Sequence, residues 1–321
     1  MPLVDVVIVN YNGGAYLRRA ITALQAQTFR DFRIIVVDNA STDDSLEALP
    51  DAPVPLELVR ASTNLGFAGG NNLAIRDRVA AEWLALLNPD AFPRPDWLER
   101  FLAATERHRE FAFFGCRMVD AADPTRLDGV GDVYHVSGMH WRDGHGCADG
   151  PAYDAPEEIF GPCAAAALYR TADVRRVGAF DEDFFCYAED VDLAFRLRLD
   201  GLRCRYVPDA VVEHMGSGIV GFRSDFARYH AHRNLVWAYV KNMPGALFWL
   251  YLPYHLALNA ASLALFTLQG RWVIWRAKRD ALLGLAACWR KRRSVQRARR
   301  VPAAAVRAVL RGGLPRRACR A

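Results

Sequence analysis

The first ninety residues alternate between short, fully apolar runs and stretches with helical spacing. Leu3–Val9 is a β-branched run of the kind buried on both faces of a sheet. "YNGG" breaks it, and Leu17, Ile21 and Leu24 then recur at helical spacing within Ala15–Gln27. "RIIVVD" predicts a second buried strand, ending at Asp38. The Ser, Thr and acidic residues of "NASTDDSLEAL" predict the start of another helix. "LELVRA" predicts a third strand, "NLGFAGGNNLAIRDRVA" a glycine-rich turn running into a helix, and "WLALLN" a fourth strand. This β-α-β-α-β-α-β alternation predicts an α/β fold with a mostly parallel central sheet and helices on both faces. Ligands of such sheets bind beyond the carboxyl ends of the strands. Asn10, Asn12, Asp38, Asn64 and Asp90 cluster at those ends.

Further along, "PDWLERFLAATERH" predicts a helix with Pro near its start, and residues 111–119 a strand. Residues 120–153 are rich in Gly, Asp and His and weakly patterned, which predicts loops with short strands. "GPCAAAALYR" reads as a small-residue strand and "TADVRRVG" as a short helix closed by Gly178. "FDEDFFCYAEDVDLAFRLRLDG" leads into a helix ending at Gly201, and "CRYVPDAVVEH" into a strand ending at His214. Ser224–Asn242 is a predicted helix carrying His230, His232, Arg233 and Asn234. Ala246–Leu268 then contains no Asp, Glu, Lys or Arg. As a helix it would run about 35 Å against a hydrocarbon core of about 30 Å. Pro253, His255 and Asn259 interrupt it, while Trp249, Trp272, Trp275 and Trp289 flank it as interfacial anchors would.

Charge changes this picture. The net +5 hides sixteen Lys or Arg against Asp280 alone from Arg271 onward, a net +15 that leaves −10 on the residues before it. Such a tail suits nucleic acid or an anionic membrane surface. The uncharged segment before it selects the cytoplasmic membrane surface, with no nucleic acid as partner. One crossing would export the basic tail, against the positive-inside tendency. A Pro-broken re-entrant hairpin or an interfacial helix avoids that; a helix pair packed on the body is the other reading. The N-terminus lacks a basic region before its apolar run, so it reads as a strand and not a signal peptide. Seven cysteines, an odd count without C-x-x-C, fit a reducing compartment and predict neither a disulfide framework nor a zinc site. The expectation is a catalytic domain over residues 1–242 and an apolar, basic helical region over 243–321, at the cytoplasmic face of the cell membrane.

"VVIVNYNGGAYL", "VVDNASTDDS", "NLGFAGGNN", "LLNPDA", "FDEDFFCYAEDVDLAFRLRLDG" and "VEHMGSG" occur in this order. Each is weak alone; the ordered set, over residues 3–240, resembles the family 2 inverting glycosyltransferases of the GT-A fold. Within them it is most similar to the rhamnosyltransferase-like branch that builds bacterial surface polysaccharides. The resemblance implies transfer from a dTDP- or UDP-sugar, L-rhamnose from dTDP-rhamnose among them, to a lipid-linked or polysaccharide acceptor. It also implies Mg²⁺ or Mn²⁺ as cofactor.

Such transfer needs a neutralised diphosphate, a deprotonated acceptor hydroxyl and a donor held for in-line attack. In the family the acid at Asp38 contacts the base or ribose; an Asx turn or cap is the ordinary alternative, and Asp43 reads as a cap. Asn10 and Asn12 end the first strand and join Asp38 as donor-binding candidates. Asn64, Gly66, Gly69 and Gly70 make a turn where backbone can approach a ligand, or a turn and nothing more. Their spacing is not that of a dinucleotide fingerprint. Asn71 and Asn72 face the sugar or cap the helix. Asp90 matches the family's acidic metal motif, with Asn88 in place of the usual first acid, where it can lend an amide oxygen or bind ribose. One carboxylate suffices for Mg²⁺ when donor phosphates complete the shell.

Glu189-Asp190 matches the family's ED motif, with Asp190 as general base and Glu189, about 100° away on the helix, fixing the loop or the acceptor. Acids at a helix N-terminus are otherwise ordinary. His214 is a candidate for the metal or the diphosphate. Arg233 is a candidate diphosphate clamp, or a solvated helix charge. His135, His140 and His145 lack metal-site spacing. Two rivals remain: a nucleotidyltransferase on a related sheet, which would want a basic phosphate loop that "NYNGG" lacks, and a non-catalytic membrane-anchored glycan-binding protein, which would not need Asp90 and Asp190 together.

Overall fold

The computed structural model describes residues 1–47, 49, 54–216, 224–313 and 319. Strand β1 (Val4–Asn10), helix α1 (Gly14–Gln25), strands β2 (Phe32–Asp38) and β3 (Leu56–Arg60), helix α2 (Gly66–Asp77) and strand β4 (Trp83–Leu87) form the first half. The strands lie parallel in the order β4-β1-β2-β3, with Asn10 opposite Asp38. The β-branched run of β1 is buried throughout because both faces are covered. Val6 and Ile8 enter one apolar cluster with α1, and Val7 and Val9 enter the opposite one with α2.

The helix expected after Asp38 does not form: residues 39–47 are turns. Their side chains bond locally instead of leaving the backbone to propagate a helix. Asp43 accepts from the Gly14 N–H at the start of α1 (2.9 Å) and from Ser45 Oγ (2.6 Å), so it caps α1. Thr42 N–H donates to Asn12 Oδ1 (2.8 Å). Residue 48, the end of the "MGSG" stretch and, of the basic tail, Arg316, Arg317 and Arg320 lie outside the described residues.

Next come β5 (Ala91–Pro93), α3 (Trp97–Arg107), β6 (Phe113–Asp120), β7 (Leu127–Gly129), β8 (Asp132–Tyr134), β9 (His140–Arg142), β10 (Glu158–Ile159), β11 (Ala166–Arg170), α4 (Thr171–Arg176), α5 (Glu189–Leu199) and β12 (Cys204–His214). The small-residue strand β11 inserts antiparallel between β4 and β6, and β12 runs parallel to β6. The ten-stranded sheet is therefore mixed, which corrects the mostly parallel sheet expected from the first half. The carboxyl ends of β1, β2, β4 and β12 nevertheless share one edge, as does the start of β11.

Helices α6 (Asp225–Asn242), α7 (Gly245–Leu268), α8 (Val273–Leu283), α9 (Leu285–Ala298) and α10 (Ala303–Val309) complete the chain. Helix α7 is continuous through Pro253, which corrects the expected re-entrant hairpin. Pro253 sits on the outward side, so the carbonyl its ring leaves without a partner is not sealed in the core. Among the described residues no helix is long and apolar enough to cross a membrane. The C-terminal helices share the catalytic half's core: Phe248, Ala281, Cys288 and Val306 lie in one cluster with Val7 and Phe195. A disulfide joins Cys147 to Cys319. It corrects the expectation of no bridge, which rested on the odd count and on spacing; a pair separated by 172 residues leaves no local signature.

Candidate active site

The donor side of the edge is built on Asn10. Its amide donates to Ser41 Oγ (3.0 Å), Ser45 Oγ (2.9 Å) and Asp38 Oδ1 (3.4 Å), while its own Oδ1 is buried without a partner. Asp38 is thus held beside Asn10 at the ends of paired strands. Asn12, in a left-handed conformation at φ 53°, pins the 41–42 turn through its N–H and its side-chain oxygen. Asn39 bridges to the next turn: its amide donates to Asn64 Oδ1 (2.9 Å) and the Gly66 carbonyl (3.0 Å). Gly66 has φ 70°, and a Cβ there would lie 2.4 Å from the Phe185 carbonyl oxygen. The close approach this glycine permits is therefore to the loop before α5. The Asn71 amide donates to the Phe67 carbonyl within α2, and Asn72 clamps Phe180 from both its amide atoms.

Asp90 follows β4 through Asn88 and Pro89. It meets His214 because β5 and β12 pair Ala91 with His214. His214 Nε2 lies 3.4 Å from Asp90 Oδ1, buried and without a good hydrogen bond, and Nδ1 lies 2.7 Å from Asp128 Oδ2. A carboxylate on one ring nitrogen fixes the tautomer and aims the other, the arrangement found behind metal-bound histidines. Burial alone would lower the His214 pKa; Asp128 and Asp90 outweigh it and raise it to about 9. Asp128 resists burial because Arg142, His145 and His214 surround it, and its carboxyl is held well below the usual range. Asn88 Oδ1 is also buried without a partner. Among the described residues no cluster of three or more His, Cys, Asp or Glu could hold a metal. Among the described residues Asp90 and His214 could act as ligands here, and their hard oxygen and aimed nitrogen would suit Mg²⁺ or Mn²⁺ if a diphosphate supplied the remaining oxygens.

The third part is the loop entering α5. Phe185, Tyr187 and Ala188 all have φ between 65° and 68°, a region costing L-residues about 1–2 kcal/mol each. Asn234 of α6 offsets this by spreading its amide over the carbonyls of Phe184, Cys186 and Tyr187 at 2.6–2.9 Å. Arg233, expected as a diphosphate clamp, instead has its guanidinium on the Asp183 and Phe184 carbonyls and over the Trp237 ring. Lys291 of α9 binds Asp181 and Asp183, and buried Lys241 joins Asp181 to Asp192. On this scaffold Asp190 accepts from Ala164 N–H, two residues before β11 (3.2 Å), and from Val191 N–H (2.8 Å). Glu189 is 5% exposed with Oε2 unpartnered; burial and then the Asp190 charge push its carboxyl well above the usual range. The same two causes raise Asp132.

Asp90, His214, Asp38, Asn10 and Asp190 are therefore gathered along one sheet edge. Asp128, Asp132, Arg142, Asn234 and Lys241 were not foreseen. The first three lie in residues 120–153, where no periodicity marks which acid faces the cleft; Asn234 and Lys241 read as ordinary helix residues.

Comparisons with known proteins identify the family and the fold. The chain is 28% identical over 243 residues to an N-acetylglucosaminyl-diphospho-decaprenol L-rhamnosyltransferase of Mycobacterium tuberculosis, covering 66% of this chain and 76% of the relative. Its fold resembles S. aureus TarS in complex with UDP-GlcNAc, at TM-score 0.57 and 16% identity over 92% of this chain and 90% of that one. It also resembles a mannosyltransferase from Pyrobaculum calidifontis in complex with GDP-Man and Mn²⁺, at TM-score 0.54 and 20% identity over 96% and 86%. The fold is GT-A. The family model for glycosyl transferase family 2 matches residues 5–175, the segment holding Asn10, Asp38 and Asp90, and the chain belongs to that family of glycosyltransferases.

Proposed function

We propose that this enzyme is a divalent-metal-dependent inverting glycosyltransferase that moves a sugar from a nucleoside-diphosphate donor to a glycan acceptor carried on a lipid. One observation carries the reading: Asp90 and an Asp128-oriented His214 share an edge with Asp190. Residues that would hold a metal and a residue that would act as base thus stand at the two ends of one displacement. Asp190 takes the acceptor hydroxyl proton as that oxygen bonds to the anomeric carbon; the bond to the diphosphate breaks on the opposite face, inverting the centre. Glu189 lies beside it, its carboxyl raised above the usual range by burial and the Asp190 charge. Mg²⁺ or Mn²⁺, held by Asp90 and His214, would neutralise the leaving diphosphate. Asn10, Asp38 and Asn88 line the donor side. The mycobacterial relative, named as an L-rhamnosyltransferase of N-acetylglucosaminyl-diphospho-decaprenol, supports an activated L-rhamnose as donor and a polyprenyl-diphosphate-linked acceptor.

The test is a panel of nucleotide sugars, dTDP-rhamnose and UDP-sugars included, with release of nucleoside diphosphate measured in Mg²⁺ or Mn²⁺. Turnover of one donor is expected, lost on chelation. Asp190→Asn should lower transfer by about 10²- to 10⁴-fold, the usual worth of a general base. Full activity in that variant, or indifference to chelation, contradicts the mechanism.

A further inference from the structure

Helix α7 is built inside out. Every exposed position from Ala246 to Leu268 is Ala, Leu, Pro, Trp or Tyr, with Trp249 65%, Leu250 59%, Leu256 59% and Leu268 87% exposed. Its polar side chains point the other way or are satisfied within the helix. His255, 3% exposed, has Nδ1 2.8 Å from the Ser137 carbonyl and stacks on Tyr239. Asn259 donates to the His255 carbonyl and accepts from Lys278. Ser262 and Thr267 donate to carbonyls of their own helix. A helix on a water-facing surface shows the reverse pattern, with polar residues outward. The stripe is about 35 Å long at 1.5 Å per residue, larger than the isolated apolar side chains that soluble surfaces tolerate.

We infer that this face of α7 lies in the surface of an anionic membrane, with the helix parallel to the bilayer plane. Two facts choose this occupant. The helix does not cross a membrane, because its other face is committed to the protein. The C-terminal end of the stripe runs into Arg271, exposed Trp272 and Trp275, and Arg276 and Arg279, which are 68% and 67% exposed. Aromatic rings and arginines around an apolar face match an interface with anionic headgroups. A second copy of the chain would bring like charges together: Asp280 is the only acid after Arg271 and is already bound by Arg279 and Tyr229.

The placement bears on the proposed acceptor, and in that respect rests on the glycosyltransferase reading. His255 docks on the turn of the β8–β9 hairpin, and a Cβ on Gly138 of that turn would lie 2.9 Å from the His255 ring. The same hairpin carries Asp132 and Arg142, whose charges act on one another and on Asp190. One hairpin thus connects the membrane face to the base, where a lipid-borne hydroxyl would arrive.

Co-sedimentation of the full chain with vesicles tests the inference without activity as the readout. Binding to phosphatidylglycerol–phosphatidylcholine vesicles is expected, with little binding to pure phosphatidylcholine. Leu250→Gln with Leu265→Gln should weaken it at least about tenfold, equivalent to about 1.4 kcal/mol. Arg276→Glu with Arg279→Glu should remove the preference for anionic lipid. Both variants should keep the wild-type circular dichroism and soluble-donor hydrolysis. Absence of vesicle binding by the intact chain, or equal binding by the leucine variant, overturns the inference. So does light scattering that shows a dimer which the leucine variant dissociates. Loss of donor hydrolysis in wild type would instead count against the catalytic reading alone.

Discussion

His214 depends on a residue the acidic motif gives no hint of. With Asp128 on Nδ1, Nε2 is aimed at Asp90; without it the ring can rotate or present the wrong nitrogen. Asp128→Asn should therefore weaken Mn²⁺ affinity in the presence of nucleoside diphosphate by about 10- to 100-fold, the usual effect of losing such an orienting partner. Calorimetric titration reads this directly, and unchanged affinity would remove Asp128 from the site. Asp90 and His214 were each visible as polar ends of apolar runs. That they would serve one metal came from the resemblance alone; no local pattern carries it, because their meeting depends on β5 pairing with β12 across more than a hundred residues. Asp128 was hidden more deeply: residues 120–153 hold several acids, and only the fold selects the one that faces His214.

The loop before α5 shows how elements share one task. Three positive-φ residues among the four of 185–188 would not persist in isolation, and the Asn234 amide is what the carbonyls of Phe184, Cys186 and Tyr187 bond to. Asn234→Ala should lower kcat by about tenfold or more, since a small misplacement of a catalytic group is costly. The donor KM and the far-UV spectrum should change little. Asn234→Asp should fail equally, because a carboxylate would face three carbonyl oxygens without a proton to give. Wild-type kcat in either variant would show that the loop holds itself. Most elements around this loop followed from periodicity, including α6 and its Ser224 cap, which accepts from Ala227 N–H. The helix expected after Asp38 does not form over residues 39–47, because the Ser41 and Asp43 side chains accept from Asn10, Asn12 and Gly14 and the Thr42 N–H donates to Asn12. The mixed sheet could not be read because strand direction leaves no mark in a short alanine run such as β11.

The helical layer is joined to the catalytic body through histidines that must stay neutral. His255 sits between Tyr239 and the Ser137 carbonyl, His232 packs on Phe266 near Lys278, and His230 stacks on Phe185 of the base loop near Arg233 and Arg276. Burial first, and then neighbouring cations, lower all three to about 4. A histidine depressed in the folded state binds more protons when unfolded. Its stability contribution is therefore full above about pH 6.5 and is lost as pH falls toward the folded value. Glu189 and Asp132 have raised values and act in the opposite direction, so the total slope does not isolate the histidines. A difference between variants does. For His255 the loss between pH 7 and pH 5 is at most about 2 kcal/mol, from 1.36 kcal/mol per pKa unit. His255→Gln should be less stable than wild type at pH 7 yet lose less on acidification, measured by urea unfolding at both values. Equal losses in the two proteins would mean that His255 is not held neutral between α7 and the β8–β9 turn. The docking of α7 beside the catalytic hairpin would then rest on apolar packing alone.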